Sequence, residues 1–257
     1  MDTLKKYFFL AWTGVLKQPW FAKIVDKLTS SKLSAKLIPF YIKHYQVEES
    51  SIELPLSEYP SIQAFFTRKL AAEKTNFQTD EKTYASPVQG LVKDFGELTS
   101  DKEFYIKDKM YSLEELVGVK DLDTTNSHFA ILYLSPKNYH RFHAPIKGQY
   151  DVLRYLGKTS YPVNQQAVDY VDGLFTKNYR GVYAMNDDFY VPVGAVNINS
   201  IKDTFVSGSE LAAGEELGYF NFGSTVVLFF MNKSIEWDSQ IKKETPIELG
   251  QVLATIN

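Results

Sequence analysis

Gly223-Ser224-Thr225-Val226-Val227-Leu228-Phe229-Phe230 is the stretch whose reading decides the fold. The apolar run that ends it is too short for a helix, is rich in β-branched and aromatic side chains, and follows a glycine, which predicts a strand buried on both faces. The serine therefore leads into a strand, whereas a hydrolase nucleophile elbow delivers its serine into a helix. A Gly-Ser-Thr turn ahead of a strand is commonplace, so chemistry at Ser224 requires partners elsewhere in the chain.

Outward from this stretch, short β-branched and aromatic runs punctuated by Gly, Pro, Asn and Asp fill the chain from Tyr84 to the C-terminus. They predict strands over Phe129 to Leu134, Gly181 to Met185, Tyr190 to Val196 and Thr225 to Phe230. A helical turn is predicted at Ser112-Leu113-Glu114-Glu115-Leu116. The phrases Ser86-Pro87-Val88-Gln89-Gly90, Ala213-Gly214-Glu215-Glu216-Leu217-Gly218 and Pro246 to Leu253 are similar to the strand corners of barrel-sandwich hybrids, without the lysine hairpin of a biotinyl or lipoyl carrier.

Upstream the text is helical. Apolar residues recur at three and four from Met1 to about Gln46, Pro19 divides two helices, and Ser61 caps a short helix over Ser61 to Leu70. The fold class is α+β: N-terminal amphipathic helices followed by a mainly antiparallel β domain with barrel-sandwich-hybrid-like corners. The helical region is assigned to residues 1–72 and the β-rich domain to 73–257.

The chain has 257 residues and no cysteine, which excludes disulfides, thiolate nucleophiles and Cys-ligated metals. No cleavable signal is evident, and Tyr7 to Leu16 falls short of the ~20 apolar residues that span a bilayer. The net charge of −3 hides an asymmetry, because residues 1–47 carry eight Lys against Asp2 and Asp26. Lys5, Lys6, Lys17, Lys23 and Lys27 alternate with Phe8, Phe9, Trp12, Trp20, Phe21 and Ile24. That pattern suits a helix lying on an anionic bilayer as well as it suits one packed on the protein's own core. The basic region is short and the remainder acidic, so no nucleic-acid partner is expected.

Tyr133-Leu134-Ser135-Pro136-Lys137-Asn138-Tyr139-His140-Arg141-Phe142-His143-Ala144-Pro145 supplies the chemical partners. Two of the four histidines lie three apart at the end of an apolar strand. Paired imidazoles point to proton transfer; a metal site is the rival, but no third ligand stands at a recognisable spacing. Arg141 suits a phosphate or carboxylate, and equally an internal ion pair.

With the late Gly-Ser-Thr, this phrase resembles the bacterial phosphatidylserine decarboxylase family, a pyruvoyl-dependent proenzyme. Further similar phrases are Phe65-Phe66-Thr67-Arg68, Ser86-Pro87 with Gly90, Ser160-Tyr161-Pro162-Val163-Asn164, Lys177-Asn178-Tyr179-Arg180 and Val193-Gly194-Ala195. The resemblance implies a carboxy-lyase that converts phosphatidylserine to phosphatidylethanolamine and CO2 in phospholipid biosynthesis. It implies self-cleavage between Gly223 and Ser224, giving a β chain of residues 1–223 and an α chain of residues 224–257. His143 is the implied base on Ser224, and Ser224 becomes a pyruvoyl group that forms a Schiff base with the substrate amine in place of pyridoxal phosphate. His140 is the implied participant in returning a proton to carbon. No metal is implied. The expected partners are phosphatidylserine, an anionic membrane surface and the chain's own two products, and a homo-oligomer is allowed. The expected location is the cytoplasmic face of the cell membrane, held peripherally by region 1–72, with 73–257 as the catalytic domain.

One position departs from the family pattern. Gln89 stands where the family carries the aspartate of the self-cleavage triad. In a serine protease an amide at the equivalent place costs about 10⁴ in rate, because the carboxylate holds the histidine tautomer and stabilises the imidazolium. Slow maturation, substitution by another acid such as Asp94, or an uncleaved lipid-binding protein on the membrane surface are the resulting alternatives. Retained activity is the favoured reading, since both histidines and the Gly-Ser-Thr survive together.

Overall fold

In the computed structural model the Ser224–Phe230 strand lies inside an eight-stranded antiparallel sheet, between His128–Leu134 and Asp188–Gly194. All of its residues are buried. Val226, Leu228 and Phe230 enter one core cluster, and Val227 and Phe229 enter the other. Side chains alternate across a strand, so an unbroken apolar run is what two dry faces require. Each such Val, Leu or Phe stabilises the fold by about 1.5–3 kcal/mol. The sheet runs Ser209–Leu211, Gly148–Leu156, Arg180–Met185, Asp188–Gly194, Ser224–Phe230, His128–Leu134, Gly90–Glu97, Thr245–Ile247. The structure describes residues 7, 9, 11–14, 18–77, 80–99, 101–106, 109–158, 160–163, 165–195, 200–221 and 223–257.

Two three-stranded sheets cover the first face. One is Ile201–Asp203, Glu216–Phe220 and Arg141–His143; the other is Thr83–Ala85, Val252–Ile256 and Ile235–Trp237. They contribute Phe142, Leu217, Phe220, Tyr84 and Leu253 to the core. The second face is covered by the hairpin Glu103–Ile106/Lys109–Ser112 and the helices Leu113–Val117, Gln165–Tyr170 and Leu174–Lys177, which bring Phe104, Tyr111, Leu116, Ala167 and Leu174. This is the expected α+β fold with mainly antiparallel sheets. The expected strands are present with shifted ends: Asp188–Gly194 begins two residues before the predicted Tyr190. Val196 and Asn164 lie outside the described residues.

Buried Asp188 ties the C-terminal segment to the rest of the chain. Lys233 Nζ lies 2.7 Å away, Tyr84 donates its hydroxyl at 2.5 Å, and the Met231 amide donates at 2.8 Å. Burial raises the Asp188 pKa, while Lys233 and the hydrogen bonds pull it back.

At the N-terminal end, Gln18 is extended and Pro19 opens the helix Pro19–Thr29, so Pro19 does divide two helical stretches. Its fixed φ suits a first helical turn. A 3₁₀ turn, Lys32–Leu37, leads into Ile38–Tyr45, and Ile38, Ile42, Val47, Tyr59 and Phe65 form a small separate cluster. Residues 1–6 and the side chains of Phe8, Val15, Leu16 and Lys17 lie outside the described set. Ser61 caps its helix by accepting from the Ala64 amide at 3.1 Å, as predicted. That helix stops at Phe66 rather than Leu70. The reason is Arg68, whose buried guanidinium turns toward the Lys137 and Asn138 carbonyls.

Candidate active site

Ser224 is the first residue of its strand and is fully buried, in register with Leu134 on one side and Gly194 on the other. By alternation its side chain shares a face with Val226 and Leu228, toward the sheet that carries Arg141–His143. Its Oγ has no hydrogen-bond partner among the described residues. A Cβ built on Gly223 would meet nothing within 4 Å among the described residues. Gly223 instead lines a cavity of about 290 Å³ with Thr29, Tyr41, Phe66, Pro136 and Asn221. The Gly223–Ser224 bond thus runs from an open, largely apolar cavity into a dry sheet.

The loop between His128–Leu134 and Arg141–His143 carries both candidate histidines. It is shaped by Asn138, whose Oδ1 accepts from Ser135 N at 2.9 Å and Ser135 Oγ at 2.7 Å, and by Tyr41, which donates to the Pro136 carbonyl at 2.5 Å. His140 is fully buried with Nδ1 2.9 Å from the Asn138 carbonyl. A carbonyl only accepts, so Nδ1 carries the proton and Nε2 is bare; Nε2 has no partner among the described residues. Burial first, then the charge of Arg68, pushes the His140 pKa down to about 3, so the ring is neutral. Phe66 lies against it at 3.9 Å between ring centres and also lines the Gly223 cavity, which brings His140 to the same corner as the candidate cleavage bond.

His143 is also buried, and burial lowers its pKa. Its Nδ1 is 2.8 Å from the Gly214 carbonyl, which fixes the Nδ1–H form, and its Nε2 accepts from the Tyr139 hydroxyl at 2.9 Å. Burial raises the Tyr139 pKa, so that phenol stays protonated and donates. Neither imidazole is hydrogen-bonded to Ser224.

Gln89 bonds to neither histidine. Its amide donates to Glu248 Oε2 at 2.9 Å, and its carbonyl accepts from the Tyr139 amide at 3.1 Å. The Gly214 carbonyl therefore holds the His143 tautomer, the task a triad carboxylate performs elsewhere. Asp94 is occupied by Lys243 at 2.5 Å. Arg141 forks onto Glu216 at 2.9 and 3.0 Å and donates to the Thr67 carbonyl at 2.9 Å, so it serves an internal ion pair.

On the other side of Ser224, Asn178 fixes the neighbouring strand. Its Nδ2 donates to Gly194 O at 3.0 Å and Tyr161 O at 2.9 Å, and its Oδ1 accepts from Tyr161 N at 2.9 Å. A side chain on Gly194 would collide with Ser200 Oγ, which places that hydroxyl beside the ladder partner of Ser224. Among the described residues no three His, Asp or Glu side chains are placed to share a metal ion.

Sequence reasoning did not single out Tyr139, Gly214 and Glu248, although each falls inside a quoted phrase. The available signal was Tyr139 four residues before His143. A carbonyl acceptor such as Gly214 O leaves no trace in the residue letters.

The sequence model of the family described as phosphatidylserine decarboxylase matches residues 62–255. A phosphatidylserine decarboxylase proenzyme of Bacillus subtilis (strain 168) is 36% identical over 236 residues, covering 90% of this chain and 89% of the relative. Proenzymes of the same description from Bacillus thuringiensis subsp. konkukian (strain 97-27) and Bacillus cereus (strain B4264) are each 37% identical over 238 residues, covering 90% of both chains.

Proposed function

The chain belongs to the phosphatidylserine decarboxylase family, and on that premise we propose that it removes CO2 from phosphatidylserine after cutting itself before Ser224. The observation that carries this reading is the buried Ser224 hydroxyl, without a hydrogen-bond partner among the described residues, at the junction between an open cavity and the central strand.

His143 is assigned as the base of maturation. It takes the Ser224 hydroxyl proton on Nε2, the oxygen attacks the Gly223 carbonyl carbon, and the peptide C–N bond breaks as Nε2 passes that proton to the freed Ser224 nitrogen, leaving residue 223 as an ester of Ser224. Loss of the Ser224 α-proton expels the Gly223 carboxylate, and hydrolysis releases ammonia. For the first step Nε2 must exchange the Tyr139 hydroxyl for that of Ser224. Gly214 keeps the proton on Nδ1 during that exchange, so the imidazole remains a base at the correct nitrogen without a carboxylate at position 89.

A pyruvoyl group carried at Ser224 would supply a carbonyl for the substrate amine and an electron sink for the pair left by departing CO2. The site fits it: the residue that would carry it is held in a water-excluding sheet, and Gly223 has open space on the side from which the new carboxylate must withdraw. His140 is assigned the return of a proton to the former α-carbon, with Nε2, which has no partner among the described residues, as the nitrogen that delivers it. Pairing of the Ser224–Phe230 strand on both edges, with the Asp188–Lys233 contact, keeps residues 1–223 and 224–257 together after cleavage.

The membrane is assigned as the place of work. Trp20, Ile24 and Leu28 form an exposed stripe at four-residue spacing beside exposed Lys23 and Lys27, and Leu33, Leu37 and Phe40 in the following elements are exposed as well. Thr29, at the end of this helix, lines the Gly223 cavity, so a lipid headgroup has a short route from that surface to the cleavage site. No described helix is long and apolar enough to cross a bilayer.

The test is release of labelled CO2 from carboxyl-labelled phosphatidylserine in anionic vesicles. Wild-type protein is expected to release it, Ser224→Ala to remain uncut and inactive, His143→Ala to remain uncut, and His140→Ala to cut without decarboxylating. Activity in Ser224→Ala would overturn the assignment.

A further inference from the structure

Arg68 is 2% exposed. Among the described residues no carboxylate lies within ion-pair distance of it. Taking a cation out of water costs several kcal/mol, so its place has to be accounted for by what its donors hold. Nη1 reaches the Phe65 carbonyl at 3.4 Å. Nη2 donates to two carbonyls of the histidine loop, Lys137 O at 2.9 Å and Asn138 O at 3.1 Å. The Asn138 oxygen is also the acceptor for His140 Nδ1 at 2.9 Å. One carbonyl therefore receives both the guanidinium and the imidazole, one on each lone pair.

The neighbours of Arg68 grip the same loop. Phe66 lies against the His140 ring, and the Thr67 carbonyl receives Arg141 Nε. Three consecutive residues thus fasten 137, 138, 140 and 141, which is why the helix over Ile62–Phe66 ends where it does.

We propose that Arg68 is a positioning residue for His140: by fixing the Lys137 and Asn138 carbonyls it holds the imidazole as the Nδ1–H tautomer and leaves Nε2 free for the reacting proton. The kinetic consequence rests on the decarboxylation reading above; the tautomer does not. Without Arg68 the peptide carbonyl at Asn138 is held from one side only, and the ring is free to rotate or to carry its proton on Nε2. Lysine is a poor replacement, since a point ammonium cannot present the rigid fork that spans two carbonyls.

The experiment reads imidazole nitrogen resonances in the uncleavable Ser224→Ala precursor, with the His140 signals assigned by loss in His140→Gln. The expected result is a pure Nδ1–H signature for His140, and a mixed or Nε2–H signature when Arg68→Met is added. In the cleavable protein, Arg68→Met and Arg68→Lys are expected to lower kcat for decarboxylation by about tenfold or more with KM little changed. A folded Arg68→Met precursor that keeps the pure Nδ1–H signature overturns the proposal. Should Arg68→Met not fold, Arg68→Lys decides: a mixed signature supports the proposal, and an unchanged signature with unchanged kcat overturns it. Failure of the wild type to cleave or to release CO2 would count against the assigned function alone, because the tautomer is read in the precursor.

Discussion

Replacing Gln89 with aspartate supplies the acid that the family resemblance leads one to expect at this position, yet the structure predicts a loss of stability and little gain in maturation. The Gln89 amide donates to Glu248 at 2.9 Å and its carbonyl accepts from the Tyr139 amide at 3.1 Å. Aspartate removes the donor and sets a second carboxylate facing Glu248. At a separation of about 4 Å two unit charges repel by about 1 kcal/mol in water and about 4 kcal/mol at an effective dielectric of 20. The groove here is open, so the aqueous figure governs. Weakening the bond to Tyr139 adds about 1 kcal/mol. Gln89→Asp should therefore cost about 1–2 kcal/mol at pH 7. Urea unfolding in the Ser224→Ala background at pH 7, with and without Glu248→Gln, isolates the coupling. Because Gly214 holds the His143 tautomer, the self-cleavage rate should change by less than about tenfold, not the about 10⁴ seen where a triad carboxylate is lost. A Gln89→Asp protein whose loss of stability is the same with and without Glu248→Gln, or which matures a thousandfold faster, would refute this reasoning.

Other expectations concern burial and surface. His140 has a folded pKa near 3 against an ordinary 6.5, so below pH 6.5 the unfolded chain binds a proton that the folded chain does not. Stability then falls by about 1.4 kcal/mol per pH unit as pH drops from 6.5 toward 3; His140→Gln should flatten the acid limb by that slope, and equal slopes between pH 6.5 and 4.5 would contradict the burial argument. Asn178→Ala removes three hydrogen bonds, to Gly194 O and to the Tyr161 backbone N–H and carbonyl, and should cost about 3–5 kcal/mol in urea unfolding with slowed cleavage at Ser224; a loss under about 1 kcal/mol would show that Asn178 does not fix the Ser224 ladder. Changing Trp20, Leu28 and Leu33 to serine should abolish sedimentation with anionic vesicles while leaving the melting temperature within a few degrees, since all three are exposed; retained binding would move the docking surface elsewhere.

Local chemistry made much of this legible in the sequence. The five apolar residues after Thr225 had to be two-faced because alternation leaves none of them a wet side, Ser61 caps its helix, and a helical turn follows Ser112, as the local sequence predicts. Long-range pairing was not legible. Gln89 meets Glu248 across 159 positions, and the Gly214 carbonyl that fixes His143 is 71 positions away. Arg68 ends its helix early because its guanidinium is drawn into a loop some seventy positions on, an interaction that outweighs the helical periodicity of Ser61 to Leu70.

The most direct test of the central claim is the intact mass of freshly purified protein. Two chains should appear, residues 1–223 and residues 224–257, the second lighter by one ammonia than the same chain beginning with serine and reactive toward a hydrazine. A single full-length species in a preparation that decarboxylates phosphatidylserine, or a cut at any other bond, would contradict it.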